Sequence, residues 1–454
     1  MNSPAPDGSP WRVSRRTAVM AGALGVALLT GGLLTQRRSR DPGNRDPFSD
    51  EHLPAAPDPT DEPVEVVHCA GWDAASRSPV SPMSEAVARK QDAAGGQYAV
   101  VVLAGGVARA VVEVCWAAHH AEVWFVDDRG RRYRGTAYRR WPDERLRVFE
   151  VRGWRSGPDA RELAGEPTSR VRVRRHADGT IRTVSTDTEL SGGGKLQTSR
   201  DWADWPDPPS ENVPVPAVDG WPVLAGLTGP VTVRPGPDEV PAAFPWKPPH
   251  PLRPRHITEL TTDGARFRTD DGRVLTVKQT SAGTIRLPSG KLLVADPGWL
   301  HVAAAPLAVP VAPGQYAVDV FQVAENGKPE TTWTVACRMT VTDAPVASWE
   351  LAPLEGDVAL ELGEGEFSGN PVDTATLALL DHTGSAAFPS GDVDTAMPGD
   401  APFRRLSAGQ TDVVVVPGWS DGSFPVWVGR AADGSPSRFV VDFLVPDLCT
   451  AEPA

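Results

Sequence analysis

The sequence has no C-x-x-C pair, no H-x-x-x-H or H-E-x-x-H spacing, and no glycine-rich loop that follows a strand and opens a helix. The first absences remove the usual zinc arrangements, and the last removes the common phosphate cradles. Cysteine is limited to Cys69, Cys115, Cys337 and Cys449, and none is paired at metal spacing. His119 and His120 are adjacent, and neighbours on a strand point to opposite faces, a poor arrangement for holding one metal. Tyrosine (4) and lysine are scarce, whereas proline (46), glycine (43) and tryptophan (15) are abundant. Many short strands joined by Pro/Gly turns produce that profile, and a helical bundle does not. A chain of 454 residues exceeds one ordinary core and fits two folded domains plus a non-globular part.

Charge is unevenly spread over the net of −13. Residues 1–45 hold seven arginines and two aspartates (+5), so the remainder carries −18. Residues 129–175 hold fifteen arginines against six acids (+9), and residues 341–454 hold eighteen acids against four arginines (−14). The acidic part argues against nucleic acid as a partner. The basic stretch reads as a solvated arginine-rich strand face, or as a surface that meets the acidic C-terminal half.

Ser14-Arg15-Arg16-Thr17-Ala18-Val19-Met20 opens an apolar run of about 18 residues, at the short limit for a spanning helix. Twin arginines before such a run are similar to a twin-arginine export signal, although Ala18 stands where a bulky hydrophobic residue is usual. No A-x-A cleavage site is evident, and Arg37, Arg38 and Arg40 follow the run. Residues 1–40 are therefore read as a cleaved signal or a retained single-pass anchor, with the membrane as the partner of an anchor. Residues 41–65 are a Pro-rich stalk. An exported chain tolerates disulfides, and the simplest scheme is Cys69–Cys115 and Cys337–Cys449; the alternative is four reduced thiols.

Residues 66–190 read as a β-rich domain. A helix is expected over Ser84–Ala93 with Ser84 as its N-cap, then strands at Tyr98–Leu103, Val107–Trp116, Ala121–Val126, Arg131–Tyr138 and Leu146–Val151. Residues 191–255 read as an extended Pro/Trp-rich connection, with Trp202, Trp205, Trp221 and Trp246 clamping onto the domains. Residues 256–449 form a second β domain. Its hairpin ladder runs through Gly283–Leu287, the turn Pro288-Ser289-Gly290 and Lys291–Ala295, and Thr374–Leu380 is its expected helix. Thr411–Val445 reads as a meander of three strands and two glycine turns. The fold class is mainly β: two β-rich domains joined by the connection and preceded by the signal or anchor segment and stalk.

The motifs Leu287-Pro288-Ser289-Gly290 with Asp296-Pro297, Pro313-Gly314-Gln315-Tyr316, Trp349-Glu350-Leu351, Glu361-Leu362-Gly363-Glu364-Gly365, and Gly418-Trp419-Ser420-Asp421-Gly422-Ser423-Phe424-Pro425 with Asp442-Phe443 follow one another in order. Over about residues 256–447 they resemble the bacterial family DUF4241, a domain of unknown function. The resemblance implies a fold unit and no mechanism. Two positions depart from the family pattern: Glu361 stands in place of an aspartate, and Gly369 stands where an aspartate is expected two places after Phe367.

The candidate catalytic or metal-binding residues are the acids in those motifs, Asp296, Glu361, Asp421 and Asp442. Clustered carboxylates perform acid–base work or hold Ca²⁺ or Mg²⁺. Asp296 before proline and Asp421 before glycine also suit plain turns. Asp442 lies in the strand Val440–Leu444, opposite in sense to Val441 and Phe443, and is expected at the surface if those two face the core. Gly418-Trp419-Ser420-Asp421-Gly422 fits G-x-S-x-G, but the strand Phe424–Val428 follows where a nucleophile elbow needs a helix. Asp392–Asp400 lacks the glycine and closing glutamate of a calcium loop. The sequence identifies no cofactor. The leading functional expectation is an extracytoplasmic binding or interaction module with an unidentified protein or ligand. A hydrolase or metal-dependent enzyme built on the four acids is the alternative, and an immunity-type protein is the third.

Overall fold

The computed structural model describes residues 53–154, 167–176, 178–189, 195–201, 212–300, 304–325, 328–388, 398, 401–408 and 411–453. The signal or anchor segment, the stalk as far as residue 52, Trp202, Trp205 and most of Asp392–Asp400 lie outside the described residues. Among the described residues no helix is long and apolar enough to cross a membrane. The chain divides into two compact units. Among the described residues, one comprises those from 53 to 251 with 356–365, and the other comprises those from 252 to 355 with those from 366 onward.

The strands of the first unit are β1 (Val64–Asp73), β2 (Ser78–Pro82), β3 (Gln97–Ala104), β4 (Val107–Cys115), β5 (His120–Val126), β6 (Arg132–Arg140), β7 (Arg145–Gly153), β8 (Ser169–Arg175), β9 (Ile181–Glu189), β10 (Lys195–Asp201), β11 (Asn212–Pro214) and β12 (Val231–Val233). They form one sheet, in which β3 to β10 run as an antiparallel meander. At one end β1 pairs antiparallel with β3 and parallel with β12. Strand sequences such as Tyr98–Leu103 are apolar at every position because both faces are covered. Val100, Val102 and Val112 enter a large core on one side, while Val101, Leu103, Val111 and Trp124 enter a smaller one on the other. The expected helix is α1 (Glu85–Ala93); Ser84 caps it by accepting the Val87 N–H.

Three expectations change in this unit. Residues 212–251 do not run as a connection between domains: β11 pairs with β7, β12 pairs with β1, and Trp221 is fully buried in the core, stacked on Trp116. The stalk ends on the unit, with Leu53 buried and the Pro54 carbonyl taken by Arg134. The arginine-rich stretch is not a solvated face, since Arg134, Arg139, Arg172 and Arg175 are buried.

The second unit contains β13 (Arg266–Arg268), β14 (Val274–Leu287), β15 (Leu292–Ala295), β16 (Gly314–Glu325), β17 (Lys328–Thr340), β18 (Ser348–Leu351), β19 (Pro371–Val372), β20 (Thr376–Asp381), β21 (Arg404–Ala408), β22 (Thr411–Pro417), β23 (Gly422–Ser423), β24 (Val426–Arg430), β25 (Pro436–Asp442) and β26 (Glu452–Pro453). An eight-stranded sheet, β18-β24-β25-β17-β16-β14-β13-β26, faces a four-stranded sheet, β15-β20-β22-β21. One core joins Ile285, Val318, Phe439, Val441 and Phe443 of the larger sheet to Val294, Leu377, Leu379, Val414 and Val416 of the smaller, the arrangement of a β-sandwich. The alternate residues Leu293, Ala378, Leu380, Val413 and Val415 form a separate apolar layer behind the smaller sheet.

Here too the structure corrects the sequence reading. Thr374–Leu380 is not a helix; Thr376–Asp381 is the strand β20, held between β15 and β22. A Leu/Ala-rich run fits either state by composition, and pairing on both edges decides for strand. The turn Pro288–Gly290 does not close a hairpin, because β14 and β15 belong to different sheets. The Thr411–Val445 meander divides in the same way. β22 lies in the four-stranded sheet, whereas β24 and β25 form a hairpin in the eight-stranded one. The turns at Pro288–Gly290 and Gly418–Ser423 therefore carry the chain from one layer to the other.

No disulfide forms among the four cysteines. Cys69 pairs with Ala99 and Cys115 with Gln97, so the whole of β3 separates them. Two strand spacings place such positions about 10 Å apart, beyond the reach of a disulfide. In the second unit Cys337 is buried within β17, while Cys449 is exposed in the short helix α2 (Pro446–Cys449).

Candidate functional site

β15 ends where Asp296 caps the 3-10 turn Pro297–Trp299, its Oδ1 accepting the Gly298 N–H at 2.6 Å. Its Oδ2 accepts the N–H groups of Asp373 (2.7 Å) and Thr374 (2.8 Å) and the Thr374 hydroxyl (3.0 Å). Asp296 is fully buried. A buried carboxylate needs such compensation, and four donors provide it. Asp421 is exposed and its Oδ1 accepts the next amide, that of Ala375, at 3.1 Å. Ala375 holds a left-handed φ of 49°, and its carbonyl accepts the Gly418 N–H. The structure thus brings Asp296 and Asp421 to one turn, with both carboxylates facing its amides.

The Gly369 departure has a packing cause. A Cβ at that position would lie 2.8 Å from the Phe424 carbonyl oxygen. An aspartate there requires the backbone to move.

Asp442 is not at the surface. Its face of β25 also carries Val440, and both Val440 and the neighbouring Trp427 of β24 are buried. On β17 the buried Ala336 lies opposite Asp442, and Arg338, opposite Val440, donates to the Thr261 carbonyl and to Asp319, so this side of the sheet is covered as well. Asp442 Oδ1 accepts the Leu444 N–H at 2.9 Å and so supports a residue whose φ is 47°. Burial pushes the Asp442 carboxyl up to about 6, against the lowering effect of the Leu444 amide.

Glu361 belongs with the first unit rather than with the other three acids. It ends the 3-10 turn Ala359–Glu361, and its Oε2 accepts the Arg175 N–H at 2.9 Å. Arg139 donates to the carbonyls of Leu360 (3.0 Å) and Leu362 (3.1 Å), and Arg172 donates to that of Glu361 at 2.5 Å. Burial raises the Glu361 carboxyl pKa, while Arg175 and Arg172 pull it down.

A further buried polar network escaped the sequence reading. Glu113 and Glu122 face each other across β4 and β5, both buried. Glu113 Oε2 accepts the Trp124 indole N–H at 2.7 Å, and Glu122 Oε1 accepts from Arg152. Arg132 and Arg152 stack on Trp124 with their guanidinium carbons 4.2 and 4.7 Å from the ring centre. Burial raises the Glu113 carboxyl pKa and holds the His120 imidazole well below its ordinary value. Arg139 donates to His120 Nδ1 at 2.9 Å, which fixes the ring proton on Nε2, 3.7 Å from Glu122 Oε2. The signal was a lone acid in each of two otherwise apolar strands, Ala110–Cys115 and Ala121–Val126. Among the described residues no three His, Cys, Asp or Glu side chains are grouped to hold a metal ion.

Comparison with known families matches residues 285–398 to the model described as Protein of unknown function (DUF4241). That stretch includes Asp296, Glu361 and Gly369 and stops before Asp421 and Asp442. No curated protein matches the chain.

Proposed function

We propose that the chain is a binding or interaction module held outside the cytoplasm, anchored by residues 1–40 or released after their cleavage. The observation that supports this reading is the commitment of the motif acids to the fold. Asp296 and Asp421 serve the amides of residues 373–375, and Glu361 serves Arg175. The competing reading, carboxylate chemistry in the second unit, draws on Asp442, whose carboxyl is pushed up to about 6 in a buried position.

Two measurements test the proposal. Cells expressing the full chain are fractionated beside an Arg15→Lys/Arg16→Lys variant. The full chain is expected outside the cytoplasm, open to protease added to intact cells, with the variant retained inside; a cytosolic full chain overturns the localisation. Thermal unfolding is then followed with Ca²⁺, Mg²⁺, Mn²⁺ and Zn²⁺. The module reading expects no cation-dependent rise in Tm. A rise that Asp296→Asn or Asp421→Asn abolishes transfers the assignment to the metal-dependent enzyme.

A further inference from the structure

Residues 356–365 are held in an unusual way. Arg139 and Arg172 reach three successive main-chain carbonyls, those of Leu360, Glu361 and Leu362. The Arg175 backbone N–H takes the Glu361 carboxylate. Arg139, Arg172 and Arg175 are all buried, so this cradle is built into β6 and β8 rather than draped on a surface. Its acceptors are carbonyls that any peptide carries, plus one carboxylate that only an acidic residue supplies. Arginine clusters that read acidic peptides combine the same two elements.

The occupant fits incompletely. Glu361 Oε1 is buried without a hydrogen bond, and the Arg175 Nη1 lies 3.8 Å from it. A buried carboxylate oxygen in that state costs free energy that a better-placed acid recovers. The segment is also bounded by Gly356 and Gly365, both at left-handed φ (88° and 66°) with open space where a Cβ would sit. Such residues absorb the backbone rotation of a hinge. Arg182–Asp357 at one end, and the contacts of His250 with Glu364 and Gly365 at the other, add polar fastening.

We propose that the Arg139/Arg172/Arg175 cradle is a docking site for an acidic peptide segment of a partner protein, occupied in this structure by the chain's own residues 356–365. It rests on the reading of the protein as a binding module and names the chemistry of the partner. The internal segment acts as a competitor, so apparent affinity is reduced by the fraction of time it stays docked.

The probe is a fluorescein-labelled peptide copying residues 356–365, titrated by anisotropy into the full chain. A second full-length protein has residues 358–363 replaced by alternating glycine and serine. That protein is expected to bind the peptide about tenfold or more tightly than the wild type. Adding Arg172→Ala, or using a Glu361→Gln peptide, is expected to remove most of that binding. A replaced protein with native circular dichroism that ignores the peptide, or binds it regardless of Arg172, overturns the proposal. If the replaced protein does not fold, hydrogen exchange on the wild type decides. Exchange of the Glu361 and Leu362 amides through local opening supports the proposal, and exchange only through global unfolding overturns it. Neither readout depends on cellular location or on cations, so this inference and the module reading fail separately.

Discussion

Asp296 and Asp421 hold consecutive amides of one turn: Asp296 Oδ2 takes those of Asp373 and Thr374, and Asp421 Oδ1 takes that of Ala375. The two differ in burial, and burial sets what each contributes. Asp296→Asn replaces one acceptor oxygen by an N–H₂ group aimed at N–H donors at a fully buried position. We expect a loss of about 3 kcal/mol, as for buried charged hydrogen bonds. Asp421→Asn, at the surface, should change stability by about 0.5 kcal/mol or less. Urea unfolding of the two variants checks the order. Equal losses would show that the turn, not burial, decides.

Placing at Gly369 the aspartate that the resemblance leads one to expect tests whether the glycine there is functional or steric. Gly369→Asp places a Cβ 2.8 Å from the Phe424 carbonyl oxygen. We expect a loss of about 1–3 kcal/mol, the usual cost of overpacking, and no gain of cation-dependent stability. A variant with unchanged Tm that binds a divalent cation would show that the glycine replaced a working ligand.

The mainly β class was legible in the sequence because strand period and turn chemistry are local. So was the cap at Ser84, which needs only four residues. Sheet membership was not. The turns at Pro288–Gly290 and Gly418–Ser423 have hairpin composition, yet each passes the chain between layers, and only the pairing of β20 with β15 and β22, strands 35 to 89 residues apart in register, reveals it. Asp442 was expected outside because strand alternation says which side a residue takes, not whether that side is covered. The Arg139 and Arg172 contacts with residues 360–362 join positions some two hundred apart in sequence, and no local pattern marks them.

Asp442 makes stability depend on pH in a defined direction. Its carboxyl rises from 3.8 to about 6 on folding, so the native state holds a proton that the unfolded state releases earlier. That contribution is complete below the unfolded value and is lost as pH rises through the folded one. Between pH 4 and 7 the ionised form costs about 3 kcal/mol, from 1.36 kcal/mol per pKa unit. Asp442→Asn keeps an acceptor for the Leu444 amide and carries no charge. It should therefore match the wild type near pH 4 and exceed it at pH 7. A wild-type curve parallel to that of the variant would show that Asp442 does not titrate with folding.

The thiols give a chemical check on the sheet register. All four cysteines are free, three are buried, and burial pushes the Cys69 thiol up to about 12. A thiol that seldom ionises and meets no solvent reacts slowly with a disulfide reagent. Native protein treated with such a reagent should therefore modify Cys449 alone, and that slowly, because partial burial raises its thiol as well. In denaturant without reductant, four thiols per chain should react. Two would mean that one bridge exists, and a Cys69–Cys115 bridge would require β1 and β4 to be neighbours. That would break the pairing of β3 with both, from which the position of β1 at the end of the meander follows.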